Sequence, residues 1–168
     1  MAALGARVHG VDVVERNIHV ASLHAAESGL DIDYEYVSVE TLCERARRYD
    51  VVLNMEVVEH VADLPGFVSH CTQLVSDDGI LFIATINRNP LSWLVAIVGA
   101  EYILRWLPKG THRWSRFVKP RELEALLARD AMTVTDSAGV RVNPITRHFS
   151  LTPHLWVNYM LCATRRGR

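Results

Sequence analysis

The chain has few cysteines, no long apolar run and no excess of charge of either sign. Its three cysteines, Cys43, Cys71 and Cys162, occur among 168 residues without CxxC spacing, which excludes a dense disulfide framework and a cysteine-rich zinc site. No stretch reaches the ~20 apolar residues that a membrane-spanning helix requires, and the N-terminus has no signal-peptide core. The net charge of -1 gives no reason to expect a nucleic-acid partner. We therefore expect a cytoplasmic protein.

Glycine is also sparse where many nucleotide-binding folds need it. The chain has nine glycines, and nowhere do they form the GxGxG spacing that lets the backbone of an α/β fold approach a cofactor closely. A glycine-rich cofactor loop is therefore not encoded in these residues.

Regular apolar patterning is abundant by contrast. With 49% apolar and 22% charged residues, and without repeats or linkers, the chain has the composition of one globular domain, residues 1–168. Short apolar runs alternate with amphipathic stretches, which predicts an α/β fold built from βαβ units. The expected strands are 6–11, 33–37, 49–55, 80–85, 132–136 and 156–163, the expected helices are 15–27, 39–47, 64–75 and 120–129, and a turn is expected at 77–79.

Asp12 is the first candidate binding residue. It ends the first predicted strand, and an acidic side chain at the carboxyl end of such a strand can accept hydrogen bonds from both hydroxyls of a ribose. Glu15, three residues later, allows a second interpretation in which Asp12 caps the following helix. The two roles would compete for one carboxylate.

A second candidate site follows the strand predicted at 49–55. Glu56, Glu59 and His60 have i, i+3, i+4 spacing, so on one helical turn they would share a side and could bind one cation. Oxygen-rich ligand sets favour magnesium or manganese over zinc. The alternative is an ordinary polar first turn, with the glutamates complementing the helix dipole.

Residues 90–119 interrupt the strand and helix alternation. Their apolar part contains Trp93, Tyr102 and Trp106, which are residue types that settle at membrane interfaces, and a basic cluster follows it directly. Such a cluster attracts anionic lipid. A buried core helix or a dimer contact is equally compatible with this length. The basic cluster consists of Lys109, His112, Arg113, Arg116 and Lys119.

Taken together, these residues resemble the class I S-adenosylmethionine (SAM)-dependent methyltransferases that O-methylate the polyprenylated ring of ubiquinone precursors. The segments within 90–119 are the most specific, because they belong to an insertion that distinguishes that family. The matching segments are Gly10-Val-Asp12, Ala21-Ser-Leu-His-Ala25, Tyr49-Asp-Val-Val52, Met55-Glu-Val-Val-Glu-His-Val61, Asn87-Arg-Asn89, Val98-Gly-Ala-Glu-Tyr-Ile-Leu-Arg105, Pro108-Lys-Gly-Thr-His112, Asn143-Pro-Ile-Thr146 and Asn158-Tyr-Met160.

The resemblance implies a Rossmann-like sheet with helices on both faces and a specific role for each candidate residue. Asp12 and Met55 would bind SAM. Glu56, Glu59 and His60 would bind a divalent cation, expected to be Mg²⁺, with Glu59 and His60 as the catalytic residues. The substrates would be 2-polyprenyl-6-hydroxyphenol and 3-demethylubiquinol, or, as an alternative, another small phenol.

The resemblance also implies a location, partners and one difference from the family. The insertion at 90–119 would hold the protein on the inner face of the membrane through anionic lipid, near other proteins of ubiquinone biosynthesis. The family's first strand and glycine-rich loop would precede Gly5, and they have no counterpart in these residues. We therefore expect an N-terminally shortened methyltransferase domain, or alternatively a non-catalytic remnant that still binds lipid.

Overall fold

The computed structural model describes residues 1–95, 113–142 and 148–165. The chain forms two compact units, Met1–Arg47 and Arg48–Arg168. Each unit is described separately below. The expectation of one methyltransferase domain over residues 1–168 stays a prediction.

The first unit is a βαβα segment. Its elements are β1 (His9–Asp12), α1 (Glu15–Glu27), β2 (Asp33–Tyr36) and α2 (Val39–Glu44). β1 and β2 are parallel, with Asp12 directly opposite Tyr36. α1 stops before Gly29, which adopts a left-handed conformation with φ 64° that glycine tolerates without steric cost. α2 begins where the Ser38 hydroxyl accepts the Thr41 N–H at 3.3 Å, as expected for an N-cap serine.

The second unit is a mixed five-stranded sheet with helices. Its strand order is β3-β4-β7-β5-β6, with β3 and β4 parallel and the remaining pairs antiparallel. The parallel pair puts the carboxyl ends of β3 and β4 at the same edge, where open α/β sheets bind ligands. Its elements are β3 (Tyr49–Met55), α3 (Leu64–Gln73), β4 (Val75–Ile86), α4 (Pro90–Ser92, a single turn), α5 (Pro120–Arg129), β5 (Met132–Val142), β6 (Phe149–Thr152) and β7 (Asn158–Arg165).

Local sequence signals explain both long helices of the second unit. The Asp63 side chain accepts the Gly66 N–H at the start of α3, and Pro120 opens α5, where its missing N–H costs nothing. Leu123 and Leu127 lie one turn apart on α5 and are fully buried. Other fully buried apolar side chains of the second unit are Val68, Val75, Leu81, Ile83, Phe117, Met132, Tyr159 and Leu161.

The predicted α/β class and the helices at 15–27 and 120–129 are confirmed, whereas several strand limits are wrong. β4 begins at Val75. The predicted turn at 77–79 lies inside β4, where the register of the β3–β4 pair shifts between the pairing of Tyr49 with Val75 and that of Val51 with Ile80. β5 continues to Val142, and β6 was not predicted. Antiparallel pairing with β7 extends β5 through residues whose local sequence favours a turn, so tertiary contacts override propensity there.

Residues 90–119 are described only at their two ends. Leu91, Trp93, Leu94 and Val95 at the start, and Trp114 at the end, are between 41% and 53% exposed. The middle of the insertion lies outside the described residues. Within the described ranges, no helix is long and apolar enough to cross a membrane.

Candidate active site

Asp12 ends β1, and its carboxylate holds the turn into α1. One oxygen accepts the Val14 N–H at 2.8 Å and the other accepts the Asn17 side-chain amide at 2.9 Å. The turn-stabilising role is therefore present. Each carboxylate oxygen can accept more than one hydrogen bond, so ribose binding by Asp12 stays a prediction. Met55 belongs to the other unit, ends β3 and is 46% exposed, and its contact with SAM also stays a prediction.

Residues 56–60 form a bend and a turn rather than a helical turn. Glu56 has a φ of 55°, which lies in the left-handed region that non-glycine residues rarely adopt. Its N–H donates to the Ala84 carbonyl at 2.8 Å, which ties the bend to β4. Helical spacing therefore does not apply to Glu56, Glu59 and His60, and α3 begins only at Leu64. Strained backbone of this kind is concentrated at functional sites.

Glu59 is a buried carboxylate beneath this bend. It is 4% exposed, and one of its oxygens accepts the hydroxyl of Thr85, which is fully buried, at 2.7 Å. A buried charge requires such a donor, because the loss of hydration would otherwise cost several kcal/mol. The Glu59 carboxyl also lies close to the Glu56 carboxyl. Two carboxyls therefore meet at the carboxyl end of β3.

The protonation of Glu56 is shifted by this neighbourhood. Loss of hydration, followed by the nearby Glu59 charge, raises the pKa of the Glu56 carboxyl to about 7, while a hydrogen bond from the Asn158 side chain acts in the opposite direction. Two carboxylates this close cannot both ionise easily. The pair therefore holds a proton, or takes up a cation, under near-neutral conditions.

The free energy of unfolding should consequently fall as the pH rises toward 7. A carboxyl with a higher pKa in the folded state binds its proton more tightly when folded, so its contribution is complete below the unfolded value of 4.5 and is lost as pH rises through about 7. Urea denaturation with a chelator present, at several pH values across this range, measures the slope. The variant Glu56→Gln should have a flatter profile, and an unchanged profile would contradict the assignment.

The three predicted metal ligands do not gather as a set. In the part of the chain that is described, no group of three histidine, cysteine, aspartate or glutamate side chains lies close enough to hold an ion. His60 is exposed and follows the turn. Of the three predicted ligands, Glu56 and Glu59 lie close together, and a divalent cation would relieve the repulsion between their carboxylates.

The described ends of the insertion meet where β4 ends and β7 begins. Asn87 and Asn89 follow β4 directly and donate their side-chain amides to the Leu155 and Trp156 carbonyls, both at 2.6 Å. The Trp114 indole N–H donates to the Asn89 carbonyl at 3.1 Å. Around these residues lies an open cavity of about 730 Å³. Its other lining residues include Pro90, Pro120, Leu155, Arg88, Lys119 and Arg121.

The last residues of the insertion also contact the loop that carries the carboxyls. Arg116 donates a guanidinium N–H to the Val61 carbonyl at 2.8 Å. Val118 donates its N–H to the Ile86 carbonyl, and the buried Tyr159 hydroxyl donates to the Val118 carbonyl at 3.0 Å. The carboxyl loop, the end of β4 and the return of the insertion are therefore connected by hydrogen bonds.

Comparison with known proteins identifies the family. A profile described as a methyltransferase domain matches residues 1–133. The ubiquinone biosynthesis O-methyltransferase of Bartonella quintana is 48% identical over 98% of this chain and 67% of its own length, and that of Cereibacter sphaeroides is 49% identical over 99% and 68%. The chain belongs to the ubiquinone biosynthesis O-methyltransferases. It spans about two thirds of the length of these relatives.

Solved structures of methyltransferases show the same fold. A magnesium protoporphyrin IX methyltransferase from Synechocystis with bound SAH superimposes with a TM-score of 0.67 at 17% identity, over 98% of this chain and 66% of that one. A SAM-dependent methyltransferase from Thermotoga maritima gives 0.69 at 15% identity, over 98% and 75%. The class I SAM-dependent methyltransferase fold is thus confirmed.

Two polar residues of the site were not predicted from the sequence. Thr85 contacts Glu59, and Asn158 contacts Glu56. Thr85 is a polar residue near the end of the apolar run at 80–86 in β4, and Asn158 begins β7. A polar side chain at the carboxyl end of a buried strand is the sequence signal that could have indicated Thr85.

Proposed function

We propose that the protein containing this chain transfers the methyl group of SAM to a ring hydroxyl of a polyprenylated ubiquinone precursor. The observation that supports this most directly is the carboxyl pair of Glu56 and Glu59 at the carboxyl end of β3, in a member of the ubiquinone biosynthesis O-methyltransferases. The proposed substrates are 2-polyprenyl-6-hydroxyphenol and 3-demethylubiquinol.

The carboxyl pair supplies the chemistry that a phenolic substrate needs. A ring hydroxyl must lose its proton to attack a methyl group, and a carboxyl poised near neutral pH is a suitable acceptor. Glu56 is the exposed member of the pair and Glu59 the buried one, so we assign contact with the hydroxyl to Glu56. SAM, when bound, supplies an electrophilic methyl group on a positively charged sulfur.

In a second form of the proposal a divalent cation takes the place of the shared proton, with Glu56 and Glu59 as its protein ligands. Such a cation, expected to be Mg²⁺, would lower the pKa of the ring hydroxyl and orient its oxygen. We assign His60 to the substrate side of the site, as a catalytic group that contacts the ring hydroxyl or the cation. Calorimetric titration with Mg²⁺ tests the ligand assignment.

The cofactor is assigned to Asp12 and Met55, which end one strand in each unit. The variant Asp12→Ala is expected to raise the Kd for SAM about 10- to 100-fold, because hydrogen bonds to a charged acceptor are lost. Isothermal calorimetry on the full-length protein measures this change. Asp33→Ala is the matched control. Asp33 is an exposed aspartate at the start of β2, whereas Asp12 lies opposite Tyr36 at the end of β2. Equal affinities for both variants would exclude a ribose contact.

The cavity beside Asn87 is the proposed entrance for the polyprenyl substituent. Its volume of about 730 Å³ is in the range of small-molecule sites. Trp114, Leu155 and Pro90 provide apolar wall, and exposed Leu91 and Leu94 continue the apolar surface along the insertion. An isoprenoid chain could lie along this surface while its ring faces the carboxyl pair.

Residues 90–119 are proposed to bind anionic lipid and hold the protein on the inner face of the membrane, near other ubiquinone-biosynthesis proteins. Exposed Trp93 and Trp114 and the basic residues Arg113 and Arg116 support this. The full-length protein should float with vesicles containing phosphatidylglycerol and separate from them at high salt. A Trp93→Ser/Leu94→Ser variant should stay in solution. Equal flotation of this variant would exclude the insertion as the contact.

The decisive experiment is a methyl-transfer assay of the full-length protein with labelled SAM. A prenylated catechol should be methylated, and the same catechol without its prenyl chain should react more slowly. Equal rates for both would favour another phenol as substrate. Failure to bind SAM, together with retained flotation, would favour the non-catalytic lipid-binding alternative.

A further inference from the structure

Four polar side chains lie in a row across the ends of three neighbouring strands. Thr85 on β4 donates to Glu59, Glu59 contacts Glu56, and Asn158 at the start of β7 contacts Glu56 from the other end. β4 pairs with β3 on one side and with β7 on the other. The row therefore depends on the register of all three strands.

Among the described residues, the side chain of Thr85 forms its hydrogen bond with Glu59. It is fully buried, and its hydroxyl lies 2.7 Å from the nearer carboxylate oxygen of Glu59. With one oxygen fixed by Thr85, the other oxygen is available to Glu56. A valine would fill nearly the same space as threonine, so a bare packing requirement does not explain the hydroxyl.

Asn158 fixes the opposite end of the row. It pairs in register with Ile86, one residue after Thr85 along β4. Its side chain lies near the carboxyl of Glu56, whose backbone adopts the left-handed region and donates its N–H to the Ala84 carbonyl. The amide of Asn158 is therefore placed to hold the Glu56 carboxyl from the side of β7.

We propose that Thr85 and Asn158 are positioning residues of the methyl-transfer site, holding Glu59 and Glu56 from opposite ends so that the carboxyls face each other and Glu56 meets the substrate. This proposal rests on the proposed function and extends it to two residues that do not touch the reacting atoms. Outer partners of this kind typically contribute 10- to 100-fold to activity.

The test compares Thr85→Val with Thr85→Ser in the full-length protein, using the prenylated catechol and SAM. Thr85→Val should lower kcat at least tenfold with little change in KM, because the position of the carboxyls and not substrate affinity is altered. Thr85→Ser keeps the hydroxyl and should recover most of the lost kcat. Calorimetry should give an unchanged Kd for SAM in both variants.

A matched control separates positioning from folding. Thr72→Val removes another buried threonine hydroxyl that donates to a carboxylate, that of Asp130 at 2.9 Å, on an element outside the site. It should lower the melting temperature and leave kcat within twofold of the wild type. Thermal unfolding of both valine variants shows whether a comparable loss of stability alone lowers kcat.

A double-mutant cycle tests whether Thr85 acts through Glu59. In a Glu59→Ala background, adding Thr85→Val should change the residual kcat less than twofold. Asn158→Ala should lower kcat, with KM again little changed. The proposal is overturned if Thr85→Val retains kcat, if Thr85→Ser fails to recover it, or if the two substitutions act independently. Inactivity of the wild type would instead overturn the proposed function itself.

Discussion

The substitution Glu59→Ala is expected to lower kcat about 10²- to 10⁴-fold, the range lost when a positioned acid–base group is removed. Glu59 is the buried anchor of the carboxyl pair, accepting the Thr85 hydroxyl and contacting Glu56. Its removal leaves Glu56 without its neighbour and leaves the Thr85 hydroxyl without an acceptor. Steady-state kinetics with SAM and a prenylated catechol measure the effect, and calorimetry should show weaker Mg²⁺ binding.

Two variants distinguish the role of the Glu59 charge from that of its shape. Glu59→Gln keeps an oxygen that can accept the Thr85 hydroxyl but loses the negative charge, and it should lose nearly as much kcat as the alanine variant. Glu27→Ala, at an exposed glutamate ending α1, should retain wild-type kcat. A Glu59→Gln enzyme with normal kcat would show that the carboxylate is structural only.

Replacing Phe117 by alanine should cost about 3–5 kcal/mol of the free energy of unfolding, the usual range for a buried phenylalanine. Phe117 is 1% exposed and packs with Ile86, which is 3% exposed, at the end of β4. The neighbouring Val118 accepts the Tyr159 hydroxyl and donates to Ile86. Removal of the Phe117 ring would therefore leave a cavity at the end of β4, beside the last residues of the insertion.

Chemical denaturation of the full-length protein measures this loss, with Phe149→Ala as the control. Phe149 lies on β6 and is 66% exposed, so its removal should change the free energy of unfolding by about 0.5 kcal/mol or less. Similar losses for the two variants would mean that Phe149 is covered in the full-length protein. A small loss for Phe117→Ala would mean that the segment around Phe117 is not part of the folded core.

The location of the carboxyl site could be predicted from the sequence, but its geometry could not. The apolar run before Met55 marks a buried strand, and polar residues directly after it indicate a ligand site. The i, i+3, i+4 spacing of Glu56, Glu59 and His60 assumes a helix, whereas the structure has a bend with a left-handed Glu56. No local signal marks this conformation, because it depends on the hydrogen bond to Ala84 on another strand.

The contacts of Thr85 and Asn158 could not be predicted from the sequence, for a related reason. Thr85 is 26 residues from Glu59 and Asn158 is far along the chain from Glu56, and they meet only through the pairing of β4 with β3 and β7. Helices were predicted well because their signals are local. Strand order and the limits of β5 and β6 depend on long-range pairing, which periodicity does not report.

The hydrogen bond between the Trp114 indole and the Asn89 carbonyl has a further consequence for the segment between them. Asn89 and Trp114 are held together beside the start of β7, and the entropic cost of joining two such points grows only slowly with the number of residues between them. The length and composition of this segment can therefore change with little effect on the register of β4 and β7. Related enzymes could thus adapt this segment to a different lipid or substrate tail while the carboxyl pair and its anchors stay in place.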